Sequence, residues 1–207
     1  MRILIADDHA IVRRGLKEIL LEEYPFAAIG EASDAEEVVH KVLAEKWDIV
    51  LCDLNMPGRS GLDALKQIKQ SYPKLPVLIM SMYPEDQYAV RALKAGAVGY
   101  LNKNSIHEEL IKAIETVKAG RKFITATIAE KLVDSASGNN DFPHQSLSDR
   151  EFDVLKLLGA GKTVSQIADE LSLSPHTVST YRSRILEKMR MHSNSELMRY
   201  ALEKKLI

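Results

Sequence analysis

The chain has 207 residues, of which 45% are hydrophobic and 28% charged, a balance typical of a folded globular protein with one large or two small domains. It contains one cysteine, which excludes an intramolecular disulfide and a zinc site built from cysteines. No apolar run reaches the roughly 18 residues that a membrane-spanning helix needs, and the N-terminus lacks the pattern of a signal peptide. We therefore expect a cytoplasmic protein that does not enter a membrane.

Strand and helix patterns alternate five times over the first 120 residues. The predicted strands are short and apolar, and they cover residues 2–6, 27–31, 49–52, 76–80 and 98–101. The helices between and after them begin near residues 10, 33, 60, 85 and 105, and the first has one apolar face. Capping patterns at Ser33, Ser60 and Ser105 mark three of these starts. Alternation with short loops predicts an α/β fold: a five-stranded parallel sheet with helices on both faces, flavodoxin-like and doubly wound.

Polar residues follow four of these strands, namely Asp7 and Asp8, then Asp53, Ser81 and Lys103. Because the carboxyl ends of parallel strands share one edge of the sheet, we expect these side chains to converge there. Three carboxylates without histidine or cysteine favour a hard cation such as Mg²⁺. An oxygen of Asp53 then becomes a nucleophile toward phosphorus, while lysine and serine bind the phosphoryl group. Each residue alone would more often be a helix cap or a surface group, so the hypothesis depends on the whole set.

Residues 1 to about 120 resemble the receiver domain of two-component response regulators. The resemblance lies in the acidic pair Asp7-Asp8 and in the motifs CDLNMPG, VLIMS and GYLNK. It implies that Asp53 is the phosphoacceptor, that Lys103 binds the phosphoryl group, and that Ser81 and Tyr100 form the switch pair. It also implies that Mg²⁺ is held by Asp8, Asp53 and the backbone carbonyl of Asn55, with Asp7 nearby.

The middle of the chain no longer shows the alternating strand and helix patterns. Residues 128–133 fit a short helix, and residues 134–143 are polar, rich in turn formers and without periodicity. We expect a receiver domain over residues 1–122, a flexible linker over 123–143 and a second domain over 144–207.

The second domain is predicted to be a small all-α unit of four helices. Capping patterns begin at Ser148, Thr163, Ser174 and Ser193, and Pro175 occupies the favoured first position of the third helix. A short helix, a tight turn and a longer helix form a helix-turn-helix pattern. On the longer helix the spacing places four side chains inward: Val178, Tyr181, Ile185 and Met189.

Positive charge is concentrated in this part of the chain. Residues 175–207 hold seven lysines and arginines against three glutamates, whereas residues 1–143 hold 18 basic against 21 acidic residues. Hydroxyl and guanidinium groups on an exposed helix face can contact DNA phosphates and base edges. Charge alone is weak evidence, because most charged helix faces are simply solvated.

Residues from about 147 to 207 resemble a LuxR-type helix-turn-helix domain in the stretch LSDREFDVLKLLGAGKTVSQIADELSLSPHTVSTYRSRILEKM and the ending YALEKKLI. Together the two parts resemble the NarL/FixJ class of response regulators. The resemblance implies a recognition helix over residues 177–188 and dimer contacts from Leu197, Tyr200 and Ala201. The DNA-binding residues expected from it are Lys162, Thr163, Thr177, Ser179, Thr180, Arg182, Ser183, Arg184 and Lys188.

The leading hypothesis is a transcription regulator that a sensor histidine kinase phosphorylates on Asp53, which favours a homodimer that binds double-stranded operator DNA. An enzyme is the first alternative, but aspartyl-phosphate phosphohydrolases carry a second acid two positions after the nucleophile, where this chain has Asn55. We therefore expect no enzyme. The second alternative is a phosphorylation-dependent module whose helical domain binds protein instead of DNA.

Overall fold

The computed structural model describes residues 1–136, 142–204 and 206–207. The chain divides into two compact units, Met1–Ala136 and Ser137–Ile207. No helix within the described ranges is both long and apolar enough to span a bilayer.

The first unit is the predicted parallel sheet with helices on both faces. Its strands lie in the order β2-β1-β3-β4-β5 and all pair in parallel. The strands are β1 (Arg2–Ala6), β2 (Ala28–Ala32), β3 (Ile49–Asp53), β4 (Val77–Ser81) and β5 (Gly99–Asn102). The helices are α1 (Ala10–Glu23), α2 (Ala35–Ala44), α3 (Gly61–Ser71), α4 (Glu85–Lys94), α5 (Ile106–Lys118) and α6 (Ala126–Ala136).

Apolar side chains on both faces of the strands form the core. Leu16 and Leu20 of α1 and Leu110 and Ile114 of α5 pack with alternate strand residues on one face of the sheet. The intervening strand residues, such as Val50, are also fully buried, as a sheet covered on both faces requires. The central strands β3 and β4 are therefore rigid supports for the residues at their ends.

The strand register brings the predicted site residues to one edge. Asp53, the last residue of β3, pairs with Met80 of β4, and Ser81 pairs with Asn102 of β5. Lys103 follows directly, and its backbone N–H donates to the carbonyl of Ser81 over 2.8 Å. The predicted convergence at the carboxyl edge is therefore confirmed for the backbone.

Helix starts agree with the sequence signals in part. The Ser60 capping box at α3 is confirmed, with reciprocal bonds to Asp63. At α2 the cap is Asp34 instead of Ser33, because the Asp34 carboxylate accepts the N–H of Glu37 over 2.8 Å. The predicted side-chain cap of α5 is wrong, since the Ser105 hydroxyl donates to the carbonyl of Asn102.

The expected linker over 123–143 contains an ordered element. Phe123 bridges to Gly99 beside β5, and the helix α6 then packs against α4 with Ile128 buried. The Thr125 hydroxyl donates to the carboxylate of Glu85 at the start of α4 over 2.6 Å. The first compact unit therefore extends to Ala136, because apolar side chains of this stretch pack against the rest of the unit. Residues 137–141 of the expected linker lie outside the described residues.

The second unit is helical, as predicted. After a short 3₁₀ helix (Pro143–Ser146) come α7 (Asp149–Gly159), α8 (Val164–Glu170), α9 (Pro175–Met189) and α10 (Asn194–Glu203). The caps at Ser148, Thr163, Ser174 and Ser193 are confirmed, since each hydroxyl accepts a backbone N–H of the first helical turn. Val178, Ile185 and Met189 are buried as expected. Tyr181 is only half-buried, because it lies at the margin of the apolar stripe of α9.

Candidate functional site

Asp53 lies at the carboxyl end of β3 with only 2% of its surface exposed. The Lys103 ammonium is 2.8 Å from Asp53 Oδ2 and 2.6 Å from Asp7 Oδ2, so one lysine bridges two carboxylates. The backbone N–H of Asn55 also donates to the Asp53 carboxylate. The structure therefore brings together three of the predicted residues from three separate strand ends.

The two charged partners respond differently to burial. Burial raises the pKa of Asp53 to about 6, and the neighbouring Lys103 ammonium offsets only part of this effect. Burial alone would lower the pKa of Lys103, but its contacts with Asp53 and Asp7 outweigh that effect and the pKa is raised. The lysine therefore stays cationic, while the carboxylates carry more negative charge than one lysine balances.

Asp7, Asp8 and the adjacent His9 complete an acidic cluster with Asp53. One ligand atom from each lies within 4.8 Å of the others, and Asp7 is fully buried. Among the described residues, Asp7 Oδ2 and Asp8 Oδ1 accept no hydrogen bond of normal geometry. Asp7 Oδ2 lies 2.6 Å from the Lys103 ammonium, and Asp8 Oδ1 lies 2.7 Å from the Nδ1 atom of His9. Buried carboxylate oxygens that lack hydrogen bonds suit a divalent cation with oxygen ligands, and this donor set fits Mg²⁺.

Ser81 and Tyr100 lie on the neighbouring strands, β4 and β5, and are fully buried. The Ser81 hydroxyl oxygen accepts the backbone N–H of Tyr83 over 3.1 Å. The Tyr100 ring points into the unit, and its hydroxyl donates to the carbonyl of Tyr83 over 2.8 Å. Both predicted switch residues are thus engaged with the loop between β4 and α4.

Sequence reasoning missed three residues that shape this edge. His9 contacts the acidic pair, Arg13 donates from its guanidinium to the carbonyl of Asp7 over 2.7 Å, and Asn102 binds two loops at once. The signal for His9 and Arg13 was their position in the first turns after the acidic pair. The contact of Asn102 with Tyr83 had no signal, because it joins residues 19 positions apart.

On the second unit, the predicted DNA-contacting residues occupy the outer side of α9 and the start of α8. Ser179, Ser183 and Arg184 are exposed, and Arg184 has no partner among the described residues. The other side chains make contacts within the unit: Thr177 with Ser174, Thr180 with the carbonyl of His176, Arg182 with Asn194, Thr163 with Gln166 and Lys162 with Glu170. The surface is therefore a set of pre-positioned hydroxyl and basic groups.

Lys188 has a structural contact as well. Its ammonium lies 2.6 Å from the carboxylate of Glu151, which is 2% exposed and also accepts the Ser148 N–H. Burial would raise the pKa of Glu151, but these hydrogen bonds outweigh it and the pKa is lowered. The pair joins α9 to the start of α7, so Lys188 holds the longer helix in place whether or not it meets DNA.

The predicted dimer residues do not form an exposed face. Leu197 and Ala201 of α10 are fully buried against α7, and an added Cβ on Gly159 would touch Ala201. Tyr200 is also buried, and its hydroxyl lies 2.7 Å from the Nδ1 atom of His144. The expectation for these three residues is corrected, because they pack the core of their own unit. The exposed apolar residues of α10 are Met198 and Leu202, one helix position further round.

Comparison with known proteins agrees with both halves of the chain. Residues 3–115 match the model of the response regulator receiver domain, and residues 145–201 match that of bacterial regulatory proteins of the luxR family. The oxygen regulatory protein NreC of Staphylococcus epidermidis is 38% identical over 217 residues, covering 100% of this chain and 99% of the relative. NreC of Staphylococcus carnosus is 38% identical over 216 residues with the same coverage.

Solved structures give the same result. RcsB from Salmonella enterica serovar Typhimurium, bound to promoter rprA in the presence of phosphomimetic BeF₃⁻, is 25% identical with a TM-score of 0.62 over 97% of this chain and 98% of that one. A LuxR-family two-component response regulator from Aurantimonas sp. SI85-9A1 is 37% identical with a TM-score of 0.59 over 66% of this chain and 97% of that one. The chain therefore belongs to the NarL/FixJ family of two-component response regulators, DNA-binding transcription regulators with a receiver domain and a LuxR-type helix-turn-helix domain.

Proposed function

We propose that a sensor histidine kinase phosphorylates Asp53 of this chain and that the phosphorylated protein binds operator DNA as a dimer. The observation that carries the proposal is the buried Asp53 carboxylate in contact with Lys103, inside a cluster of further carboxylates. A surface carboxylate would have neither the burial nor the fixed cation. The helix-turn-helix unit supplies the output.

In the transfer step, a carboxylate oxygen of Asp53 forms a bond to phosphorus while the bond between phosphorus and the donor breaks. The leaving group is a histidine imidazole in the kinase or acetate in acetyl phosphate. The Lys103 ammonium, already 2.8 Å from Asp53 Oδ2, stabilises the negative charge on the phosphoryl oxygens. Mg²⁺ would be held by Asp8, Asp53 and the backbone carbonyl of Asn55, with Asp7 nearby, and would neutralise further charge.

The new phosphoryl group adds about −1.5 to −2 of charge at this edge of the sheet. The Ser81 hydroxyl is the nearest neutral donor on β4, and it rotates to the phosphoryl oxygens. It then no longer accepts the hydrogen bond from the Tyr83 N–H that it accepts in this structure. Tyr100 is already buried in the unit. The conformational change is therefore expected mainly in the loop from Met82 to Pro84 and in α4, which follows it.

For the output, exposed α9 residues face the DNA and exposed apolar residues of α10 pair two copies of the chain. Arg184 and Ser179 are available for phosphate or base contacts, because both are exposed and neither side chain has a hydrogen-bond partner among the described residues. Leu202, which is 59% exposed, and Met198 one turn before it take the dimer role that the family resemblance assigned to Leu197, Tyr200 and Ala201. A two-fold dimer would present two α9 helices to two half-sites.

The first experiment tests the phosphoacceptor. The purified chain is incubated with acetyl phosphate and Mg²⁺, and its intact mass and size-exclusion elution are compared with those of Asp53→Asn. We expect one phosphoryl group and a shift toward dimer for the unsubstituted chain only. Phosphorylation of both proteins would place the acceptor elsewhere, and phosphorylation of neither would contradict the proposal for this donor.

The second experiment separates DNA binding from the protein-binding alternative. A duplex is selected from a randomised pool with the phosphorylated protein, and its affinity is then measured as a function of salt concentration. We expect affinity to fall steeply with salt, and Arg184→Ala to weaken binding and reduce the salt slope by about one. Arg14→Ala removes the same charge from exposed α1 and serves as the control. Binding that is weak and insensitive to salt would favour a protein partner.

The third experiment tests the dimer face. Leu202→Asp places a charge on exposed α10, and we expect the phosphorylated variant to bind a two-half-site duplex less tightly while being phosphorylated at the normal rate. Leu43→Asp introduces the same change at a 53% exposed position of α2 and is expected to bind normally. Equal DNA affinity of the two variants would show that this face of α10 does not form the dimer contact.

A further inference from the structure

We propose that Asn102 is a positioning residue that ties the loop carrying Lys103 to the loop that follows Ser81, so that the two phosphoryl-binding groups are held as one unit. This inference rests on the proposed phosphorylation of Asp53. It concerns a residue at the end of β5 that precedes the lysine and that does not itself touch the carboxylates in this structure.

Asn102 uses both ends of its amide. Its Nδ2 donates to the carbonyl of Tyr83 over 3.3 Å, and its Oδ1 accepts the backbone N–H of Asn104 over 2.9 Å. Its own carbonyl accepts the N–H and the hydroxyl of Ser105. The side chain therefore joins the loop after β4 to the loop after β5, which carries Lys103.

Tyr83 is the point where the contacts meet. Its N–H donates to the hydroxyl of Ser81, its ring stacks on Tyr88 at 5.0 Å, and its carbonyl accepts from the Tyr100 hydroxyl as well as from Asn102. One backbone carbonyl thus receives a hydrogen bond from the predicted aromatic switch residue and another from the residue next to the catalytic lysine. Movement of this loop is transmitted to both.

The link matters for the transfer step because the phosphoryl group must be bound from two neighbouring loops. Lys103 lies on the loop after β5, and Ser81 is the last residue of β4, directly before the other loop. A backbone hydrogen bond from the Lys103 N–H to the Ser81 carbonyl joins the two loops where they leave the sheet. Asn102 adds a second connection further out. Groups that are already held in their relative positions lose less conformational freedom when they bind the transferring phosphoryl group, which raises the rate.

The test is the substitution Asn102→Leu, which keeps the approximate size of the side chain and removes both hydrogen bonds. Phosphorylation by acetyl phosphate and Mg²⁺ is followed by intact mass, and we expect a rate about tenfold lower than for the unsubstituted chain. Asn104→Ala is the matched control, because it changes the side chain two positions further along the same loop and keeps the backbone N–H that Asn102 accepts. It is expected to react at the normal rate.

Amide hydrogen exchange distinguishes positioning from general stability. In Asn102→Leu we expect faster exchange in both loops, residues 82–85 and 102–106, with an unchanged midpoint of urea unfolding measured by Trp47 fluorescence. Asn102→Asp keeps an acceptor for Asn104 and loses the donor to Tyr83, so it should restore protection in the second loop only.

Three results would overturn the inference: a normal phosphorylation rate in Asn102→Leu, faster exchange confined to residues 102–106, or a fall in rate matched by a lower unfolding midpoint and exchange raised throughout the sheet. Failure of the proposed function is separate. It would appear as a lack of phosphorylation in the unsubstituted chain, while the exchange measurements would still decide whether Asn102 joins the two loops.

Discussion

The burial of Asp53 predicts that the phosphoacceptor weakens the fold when no cation is bound. Burial raises the pKa of this carboxyl from 3.8 to about 6. Each tenfold change in proton affinity corresponds to about 1.4 kcal/mol, so the ionised form costs the folded state about 3 kcal/mol at neutral pH. The Asp53→Asn substitution removes that charge with almost no change in shape. We expect it to stabilise the receiver unit by about 1 to 3 kcal/mol at pH 7 without divalent cations.

The pH dependence has a defined sign. Because the folded-state pKa is raised, the folded chain binds more protons than the unfolded chain between pH 3.8 and about 6. The contribution of Asp53 is therefore most favourable below pH 3.8 and is lost as the pH rises through 6. The difference in stability between the two proteins should shrink as the pH is lowered toward 4.

The assay is urea unfolding followed by tryptophan fluorescence. The chain has a single tryptophan, Trp47, which lies in the first unit and reports on that unit alone. Mg²⁺ in excess should stabilise the unsubstituted chain, by about 2.7 kcal/mol at a hundred times its Kd, and Asp53→Asn by less, because only a folded site binds the ion. Glu22→Gln, which neutralises an exposed carboxylate on α1, is the control and should change stability by less than about 0.5 kcal/mol.

Two results would refute this reasoning. If Asp53→Asn were no more stable than the unsubstituted chain without Mg²⁺, the buried ionised carboxylate would not be destabilising the folded state. If Mg²⁺ stabilised both proteins equally, Asp53 would not be among its ligands.

Two further predictions concern packing. Gly61→Ala would place a Cβ 1.9 Å from the backbone oxygen of Asp53, so we expect a loss of about 1 to 3 kcal/mol in Trp47-monitored unfolding and slower phosphorylation; normal values for both would contradict this contact. Glu151→Gln weakens the bond to Lys188, so calorimetry should show the second unit destabilised by about 1 to 2 kcal/mol above the pKa of an unfolded glutamate and by less in acid, whereas the exposed Glu187→Gln should be neutral.

Local patterns were enough to predict the fold of both units. The apolar strands and the helices between them predicted a five-stranded parallel sheet with helices on both faces. Capping signals at Ser60, Ser148 and Thr163 marked helix starts that the structure has, because a cap acts between residues three positions apart. The acids at the strand ends could be placed at one edge because a parallel sheet puts all such ends on the same side.

The contacts that tune the site were decided by tertiary structure. The bridge from Asn102 to Tyr83 spans 19 positions and the pair of Lys188 with Glu151 spans 37, and no local pattern encodes either. Such contacts form only after strands and helices have packed, when the side chains that meet are fixed by register and crossing geometry.

Helix faces show the same division. The sequence predicted a final helix with Leu197, Met198, Ala201 and Leu202 as its apolar residues, and the family resemblance placed Leu197, Tyr200 and Ala201 at the dimer contact. In the structure those residues lie in the core and Leu202 is exposed. Likewise, α6, which lies in the expected linker, packs against α4. Sequence periodicity specifies that a helix has an apolar face, whereas which apolar side chains are buried depends on the surface that the rest of the chain presents to it.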